Sequence, residues 1–107
     1  MNRWLALRCR PLGPDSALST DEVDAHLGEL DGWQRVDGAI EKTFSFADFH
    51  QTMAFVNALA WVAHRQDHHP DLQVGYNRCT ARFSTHSAHG ITANDFICAA
   101  RIDALFA

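Results

Sequence analysis

Apolar side chains recur at the spacing of an amphipathic helix in three parts of the chain. The first part begins at Ser19, whose distance from Glu22 is that of a capping box, and we expect it to end at Gly32. The second part covers residues 47–66 and is the longest. The third follows Thr92, a residue type that caps helix N-termini. The hydrophobic pattern therefore predicts three helices.

Between these helices, apolar and polar residues alternate as they do in half-buried strands. The alternation covers residues 40–46, 72–76 and 79–83, and residues 33–36 are predicted to form a further short strand. Asp37-Gly38 separates the first two stretches and is typical of a type I′ turn, which needs positive φ at both positions. Asn77-Arg78 separates the other two stretches, and we expect a second tight hairpin there.

The order helix, hairpin, helix, hairpin, helix predicts an α+β fold. Two hairpins make a four-stranded, mainly antiparallel sheet, and three helices can pack on one face of it. Lys42 shares a strand face with Ile40 and Phe44, and we expect this charge to lie near a sheet edge. The 107 residues are enough for a single domain over 1–107, in which residues 1–17, with two prolines and a glycine, are an irregular lead-in.

Composition and charge exclude several classes of protein. The hydrophobic fraction of 47% and the charged fraction of 21% are those of a globular chain rather than a disordered one. No apolar run approaches the roughly 18 residues that a membrane-spanning helix needs. The net charge is -4, and the eight arginines are scattered rather than gathered in the basic stripe of a nucleic-acid-binding protein. We therefore expect neither a membrane nor a nucleic acid as a partner.

Cysteine usage and the N-terminal residues indicate a cytoplasmic protein. The three cysteines are an odd number and form no Cys-x-x-Cys motif, which favours a reducing compartment. The apolar run of residues 4–7 is too short for the core of a signal peptide. Cys79 and Cys98 lie at apolar positions of a strand and a helix, where we expect small buried side chains rather than nucleophiles.

The apolar stripe of the longest predicted helix is wide. It combines a row that starts at Phe49 with an adjacent row that starts at Phe55. One interpretation is a central helix that is buried on its own sheet. The other is that part of the stripe packs on a second subunit, because an exposed Phe55 and Trp61 would leave a large apolar patch. We expect a homodimer or a homotetramer.

Five of the seven histidines fall within 26 residues: His64, His68, His69, His86 and His89. His68 and His69 directly follow the longest helix, and His86 follows the fourth strand, so both groups lie at element ends, where sites are usually built. Neutral imidazole both donates and accepts a proton near pH 7. A converging set of histidines would therefore suit proton transfer to and from one small molecule.

The residues alone leave other roles open for these histidines. Adjacent histidines before a proline can simply bond to turn carbonyls and solvent. His64 and His68 have the i, i+4 spacing of metal ligands, and His69 and His86 could complete such a set. No cysteine pair or carboxylate lies at a companion spacing, and we expect no metal.

Taken together, the spacings resemble those of the pterin-4a-carbinolamine dehydratases, from about Ser19 to Leu105. The family motif is a residue that is often acidic, a histidine–histidine–proline triplet, an aromatic, a histidine and an aspartate. In this chain the motif corresponds to His64, His68-His69-Pro70, Tyr76, His86 and Asp95. The resemblance implies a hydro-lyase that converts 4a-hydroxytetrahydropterin (4a-hydroxytetrahydrobiopterin) to the quinonoid dihydropterin. Such an enzyme recycles the cofactor of aromatic amino acid hydroxylases such as phenylalanine hydroxylase.

The resemblance also implies roles for individual residues. His68 and His86 are the expected acid/base pair, and His69 is expected to bind and orient the pterin. Further substrate contacts are implied for Asp67, Pro70, Thr85, Ser87, Ala88 and Asp95. Asp67 is also a candidate partner that raises the basicity of an imidazole, whereas capping the last helix is the role we expect first for Asp95. No metal or organic cofactor is implied.

Two positions depart from the family pattern. His64 stands where an acidic residue is common, and Leu72 replaces an aromatic that is common after the triplet. Some members of the superfamily act as scaffolds, for example as assembly factors of Rubisco or as the dimerisation partner of a transcription factor. A non-enzymatic assembly protein is therefore the alternative function, because a fold does not decide an activity.

Overall fold

The computed structural model describes residues 2–106 and contains three α-helices and four strands in the expected order. The helices are α1 (Thr20–Leu27), α2 (Phe49–Gln66) and α3 (Ala93–Asp103), and the strands are β1 (Gln34–Val36), β2 (Ala39–Ser45), β3 (Asp71–Val74) and β4 (Arg78–Phe83). Short 3₁₀ turns occur at Arg3–Ala6, Pro14–Ser16, His86–Ala88 and Ala104–Phe106. The predicted α+β fold is confirmed.

All strand pairs in the sheet are antiparallel, and the strand order is β1-β2-β4-β3. The register places Ile40 opposite Phe83 and Phe44 opposite Cys79, so that these buried side chains share one face. Phe44 meets Phe55 of α2, with 4.6 Å between the ring centroids. The other face carries polar side chains such as the Thr43 and Thr80 pair. The alternation along the strands is therefore that of a sheet covered by helices on one face.

Two helix starts follow the predicted capping residues. Ser19 and Glu22 form a capping box at α1, and Thr92 and Asp95 form one at α3. The first helix ends at Leu27, not at Gly32 as expected. The chain instead passes through further turns before Gly32, which takes the positive φ of 82° that suits a glycine.

One predicted hairpin turn is confirmed and the other is displaced. Asp37 and Gly38 both have positive φ, as a type I′ turn requires. In the second hairpin β4 already begins at Arg78, and the connection is residues 75–77, closed by a 2.8 Å bond from the Gly75 N–H to the Arg78 carbonyl. Tyr76 therefore leaves the strand that we predicted for it, and 66% of its surface is exposed.

Lys42 lies in β2, an interior strand of the sheet, directly after the end of its pairing with β1 at Glu41. Its Nζ donates to Asp103 Oδ1 at 3.0 Å and to the Asp31 carbonyl at 2.8 Å. The other oxygen of Asp103 accepts a 3.0 Å bond from Trp33 Nε1. The positive charge of Lys42, on the helix-facing side of the sheet, is thus balanced by the Asp103 carboxylate of α3.

The lead-in contains two short 3₁₀ turns and is folded onto the rest of the chain. Trp4 is only 2% exposed and stacks on Phe96 of α3, with 5.4 Å between the ring centroids. Further along, the backbone of Arg10 donates to the Asn94 side chain at 3.2 Å and accepts from it at 2.7 Å. These contacts lay residues 4–10 along α3.

The wide stripe of α2 is divided between the core and the surface. Phe55 and Leu59 are buried, whereas Trp61 is 62% exposed and Phe49 is 50% exposed. Of the two side chains whose exposure would leave an apolar patch, Phe55 is therefore buried and Trp61 is exposed. Within residues 2–106, no helix is long and apolar enough to cross a membrane.

Candidate functional site

A cavity of about 230 Å³ lies where the end of α2 meets the lead-in and the loop after β4. Its wall contains lead-in residues 9–12, residues 66–68, and Thr85, Ser87 and Asn94. Four other depressions are larger, at about 660, 490, 400 and 290 Å³, but no histidine lines any of them. The histidine-lined cavity is therefore the candidate site.

His68 reaches this cavity because of the way in which α2 ends. Asp67 takes a left-handed conformation with φ 49° and ψ 44°, and its N–H bonds to the carbonyls of the last helical turn. The His68 N–H then bonds to the Ala63 carbonyl at 3.1 Å. Aspartate tolerates this conformation better than most residues do, so Asp67 acts as a C-terminal stop that turns the chain into the site.

The central feature of the site is a short contact between His68 and Asp95. His68 Nε2 lies 2.6 Å from Asp95 Oδ1; the His68 side chain is 11% exposed and that of Asp95 is 0% exposed. The imidazole also lies nearly parallel to the Phe83 ring, at 9° and with 6.1 Å between centroids. Its orientation is therefore set from two sides, by a carboxylate and by an aromatic face.

The neighbours of Asp95 satisfy its second oxygen. Oδ2 accepts a 2.9 Å bond from the Thr85 hydroxyl and a 2.9 Å bond from the Thr92 N–H. The two threonine hydroxyls lie 2.8 Å apart and bond to each other. The carboxylate thus caps α3, as we expected, and in addition holds His68.

The surroundings of His68 favour its protonated form. Burial acts to lower the pKa of His68, but the hydrogen bond and the negative charge of Asp95 outweigh it and raise the pKa above the ordinary 6.5. Asp67 adds only a smaller effect through its charge. The carboxylate partner of His68 is therefore Asp95, and not the candidate Asp67.

The structure brings together only part of the predicted residue set. His68, Asp67, Thr85 and Ser87 line the cavity, and Asp95 lies directly behind His68. The remaining predicted residues lie outside its lining: His69 and His86 are exposed, Pro70 is half-buried and Ala88 is buried.

Sequence reasoning did not find the wall formed by the lead-in. The Cys9 N–H bonds to Gln66 Oε1 at 2.9 Å, and the Ser87 hydroxyl donates to the Leu12 carbonyl. Residues 9–12 have no periodic pattern and no recognisable motif. The one signal was Asn94, a polar residue that is buried in the first turn of α3 and holds the Arg10 backbone.

The spacing of His64 and His68 does not correspond to a metal centre in the folded chain. His64 is exposed, and its ring lies 5.9 Å from that of Trp61. Over residues 2–106, no three histidine, cysteine or acidic side chains come together in a group that could hold a metal ion.

Comparison with known sequences identifies relatives along almost the whole chain. The family model described as pterin 4 alpha carbinolamine dehydratase matches residues 16–105. A protein of Nitrosospira multiformis is 51% identical over 92% of this chain and 88% of its own length. A protein of Chromobacterium violaceum is 52% identical over 95% of this chain and 94% of its own length. The names of both give pterin-4-alpha-carbinolamine dehydratase as a provisional assignment.

Two solved structures share the fold. A transcriptional coactivator/pterin dehydratase from Brucella melitensis matches with a TM-score of 0.80 and 37% identity, over 83% of this chain and 97% of that chain. A pterin dehydratase-like protein identified as a RuBisCO assembly factor in the alpha-carboxysome matches with a TM-score of 0.56 and 28% identity, over 68% of this chain and 84% of that chain. The match of the family model, the half-identical relatives and the shared fold agree, and this chain belongs to the pterin-4-alpha-carbinolamine dehydratase family.

Proposed function

We propose that this protein is a hydro-lyase that dehydrates 4a-hydroxytetrahydropterin to the quinonoid dihydropterin. The observation that carries the proposal is the His68–Asp95 pair in the wall of the cavity. A buried carboxylate that orients an imidazole and raises its pKa suits a general acid. The three unpaired cysteines suit a reducing cytoplasm, where pterin cofactor recycling would take place.

The proposed reaction is a loss of water driven by two proton transfers. Protonated His68 donates to the 4a-hydroxyl, the carbon–oxygen bond breaks and water leaves. A base removes the proton from the adjacent ring nitrogen, whose electrons form the new carbon–nitrogen double bond. We assign the base to His86 and the orientation of the pterin to His69, on the family motif. General acid/base catalysis contributes about 10²–10⁴-fold, and no metal or organic cofactor is needed for such a step.

The two departures from the family pattern lie away from the His68–Asp95 pair. His64 is on an exposed side of the last turn of α2, and Leu72 pairs with Ala81 on the helix-facing side of the sheet. Neither residue lines the cavity. We infer that both changes leave the His68–Asp95 pair intact, which favours the enzyme over the assembly protein.

The alternative is a non-enzymatic role as an assembly protein, and a measurement of dehydratase activity distinguishes the two. The neighbour identified as a RuBisCO assembly factor is less similar to this chain than the Brucella pterin dehydratase, in both fold and sequence. A purely scaffolding role would also leave the buried His68–Asp95 pair without a chemical task. We therefore retain the enzyme as the single proposed function.

The test is dehydration of a freshly generated 4a-hydroxytetrahydropterin, followed by absorbance with and without the purified protein. We expect a clear rate above background for the wild type and a turnover that is ~10²-fold or more lower for His68→Ala and for His86→Ala. His50→Ala, at an exposed position of α2, is the control and should match the wild type. A folded wild type with no rate above background would exclude the dehydratase. An active His86→Ala variant would exclude His86 as the base.

A further inference from the structure

Two cysteines from opposite ends of the chain meet beside the candidate site. Cys9 of the lead-in and Cys98 of α3 have their sulfur atoms 3.6 Å apart, although 89 residues separate them in sequence. Cys9 is half-buried and lines the cavity together with His68, whereas Cys98 is fully buried. The pair thus consists of a half-buried cysteine in the cavity wall and a fully buried one directly behind it.

The contacts of the pair give its two thiols different properties. The hydrogen bond from the Cys98 thiol and the nearby charge of His68 lower the pKa of Cys9, although burial opposes them. The same hydrogen bond, together with burial, raises the pKa of Cys98. Because the thiolate is the reactive form of cysteine, Cys9 is suited to be the nucleophile and Cys98 its protonated neighbour.

We propose that Cys9 and Cys98 form an oxidisable dithiol whose oxidant is a hydroperoxide. The inference goes beyond the dehydratase reaction and does not depend on it. The positions of the two sulfur atoms and the place of Cys9 in the wall of the cavity carry it. Cys79, the third cysteine, is buried in β4 and takes no part.

The chemistry balances in two steps. The Cys9 thiolate attacks one oxygen of the hydroperoxide, so that a sulfur–oxygen bond forms, the oxygen–oxygen bond breaks and an alcohol or water leaves with a proton. The Cys98 sulfur then attacks the sulfenic acid at Cys9, the sulfur–oxygen bond breaks, and water leaves with the Cys98 proton. Overall, two thiols are oxidised to a disulfide while one peroxide is reduced.

The pair needs only a local movement to form this bond. The sulfur atoms must approach from 3.6 Å to about 2.05 Å, and they give up weak contacts with the Asn94 carbonyl at 3.5 Å and the His68 carbonyl at 3.9 Å. The new bond would tie the lead-in wall of the cavity to α3 beside His68. Because the closed loop is long, the cross-link should also raise the Tm of the oxidised protein.

The experiment treats the intact protein with hydrogen peroxide and then alkylates the remaining thiols under denaturing conditions. We expect an intramolecular Cys9–Cys98 disulfide, a mass loss of about 2 Da before alkylation, one alkylated thiol at Cys79, and full reversal by dithiothreitol. Cys79→Ser is the matched control and should form the same cross-link. In Cys98→Ser, Cys9 should stop at the sulfenic acid, which a dimedone probe traps.

Several results would overturn the proposal. These are three alkylated thiols after peroxide treatment, a disulfide that includes Cys79 or a second chain, or a wild type in which Cys9 proceeds to the sulfinic acid. Intact mass and peptide mapping measure the disulfide and the alkylated thiols without any pterin being present. A protein that cross-links but does not dehydrate pterins would therefore refute only the proposed function, and an active protein that does not cross-link would refute only this inference.

Discussion

Asp95 uses its two carboxylate oxygens for two different tasks. Oδ2 receives the Thr92 N–H and the Thr85 hydroxyl and so completes the cap of α3, while Oδ1 is left for His68. The cap places the carboxylate at the start of the helix, where negative charge is stabilised. The group that orients the histidine is therefore itself held by local structure.

The pKa of His68 should depend on the charge of Asp95. We expect it above 6.5 in the wild type and below 6.5 in Asp95→Asn, because the amide keeps the burial but removes the charge. The measurement is a titration of the histidine ring signals by nuclear magnetic resonance. The ring signals of exposed His50 serve as the internal reference between the two proteins. An unchanged His68 pKa in Asp95→Asn would contradict the assigned pairing.

The same pairing sets the sign of the pH dependence of stability. Since the folded protein has the higher His68 pKa, it binds more protons than the unfolded chain, and the stabilisation is complete below about pH 6.5. It is lost as the pH rises through the folded pKa. Urea unfolding at a series of pH values should show this loss of stability relative to Asp95→Asn. Both proteins should carry Cys9→Ser, because the pKa of Cys9 is lowered in the folded protein and its ionisation would raise the free energy of unfolding at higher pH.

At the scale of elements, one acidic side chain connects three parts of the fold. Asp103, at the end of α3, accepts bonds from Lys42 of β2 and from Trp33, which precedes β1. These groups are mostly shielded from water, so the loss of the carboxylate would leave the indole N–H unpaired and the Lys42 amine with the Asp31 carbonyl as its remaining partner.

Asp103→Ala should lower the free energy of unfolding by about 1–3 kcal/mol, the cost of polar groups left unsatisfied. Asp24→Ala is the matched control, because the Arg35–Asp24 pair is exposed and such pairs contribute roughly 0–1 kcal/mol. Chemical denaturation of both variants measures the difference. Equal effects of the two substitutions would show that the bonds of Asp103 to Lys42 and Trp33 stabilise the fold no more than an exposed ion pair does.

At the scale of the whole molecule, α2 presents apolar surface outward as well as inward. Trp61 and Phe49 are both at least half exposed, while Phe55 and Leu59 of the same helix are in the core. Large exposed aromatic side chains on one helix are typical of subunit contacts.

We therefore expect a homodimer or homotetramer in solution, with mass two or four times that of one chain by light scattering. Trp61→Glu should shift the distribution toward smaller particles, because the charge would have to be buried at the contact. Leu7→Glu, at an exposed apolar position of the lead-in, is the control. A monomeric wild type at micromolar concentration would contradict the expectation.

The candidate site could be predicted only in part from the sequence. The position of His68 at the end of α2 placed it in the right region, whereas His69 and His86, predicted on the same ground, lie outside the lining of the cavity. The bond from His68 to Asp95 spans 27 residues, and the wall formed by Cys9 lies further still from the motif. No periodicity carries such pairings, because they depend on how separate elements pack.

The sequence by itself determined the features that local rules govern. Helix caps at Ser19 and Thr92 and the Asp37-Gly38 turn follow from the conformations and hydrogen bonds of a few neighbouring residues, which do not need the rest of the chain. The α+β fold followed from the order of such elements. The family motif added the histidines at their ends.

Only the tertiary structure decided the features that distant residues share. The second hairpin turn is displaced because the Asn77 carbonyl accepts from the Phe46 N–H across the sheet. Lys42 occupies an interior strand because Asp103 neutralises it, and the lead-in is ordered because Trp4 is buried against α3. In each case a partner more than 30 residues away in sequence supplies the free energy that overrides the local preference. No local pattern of residues contains information about such a partner.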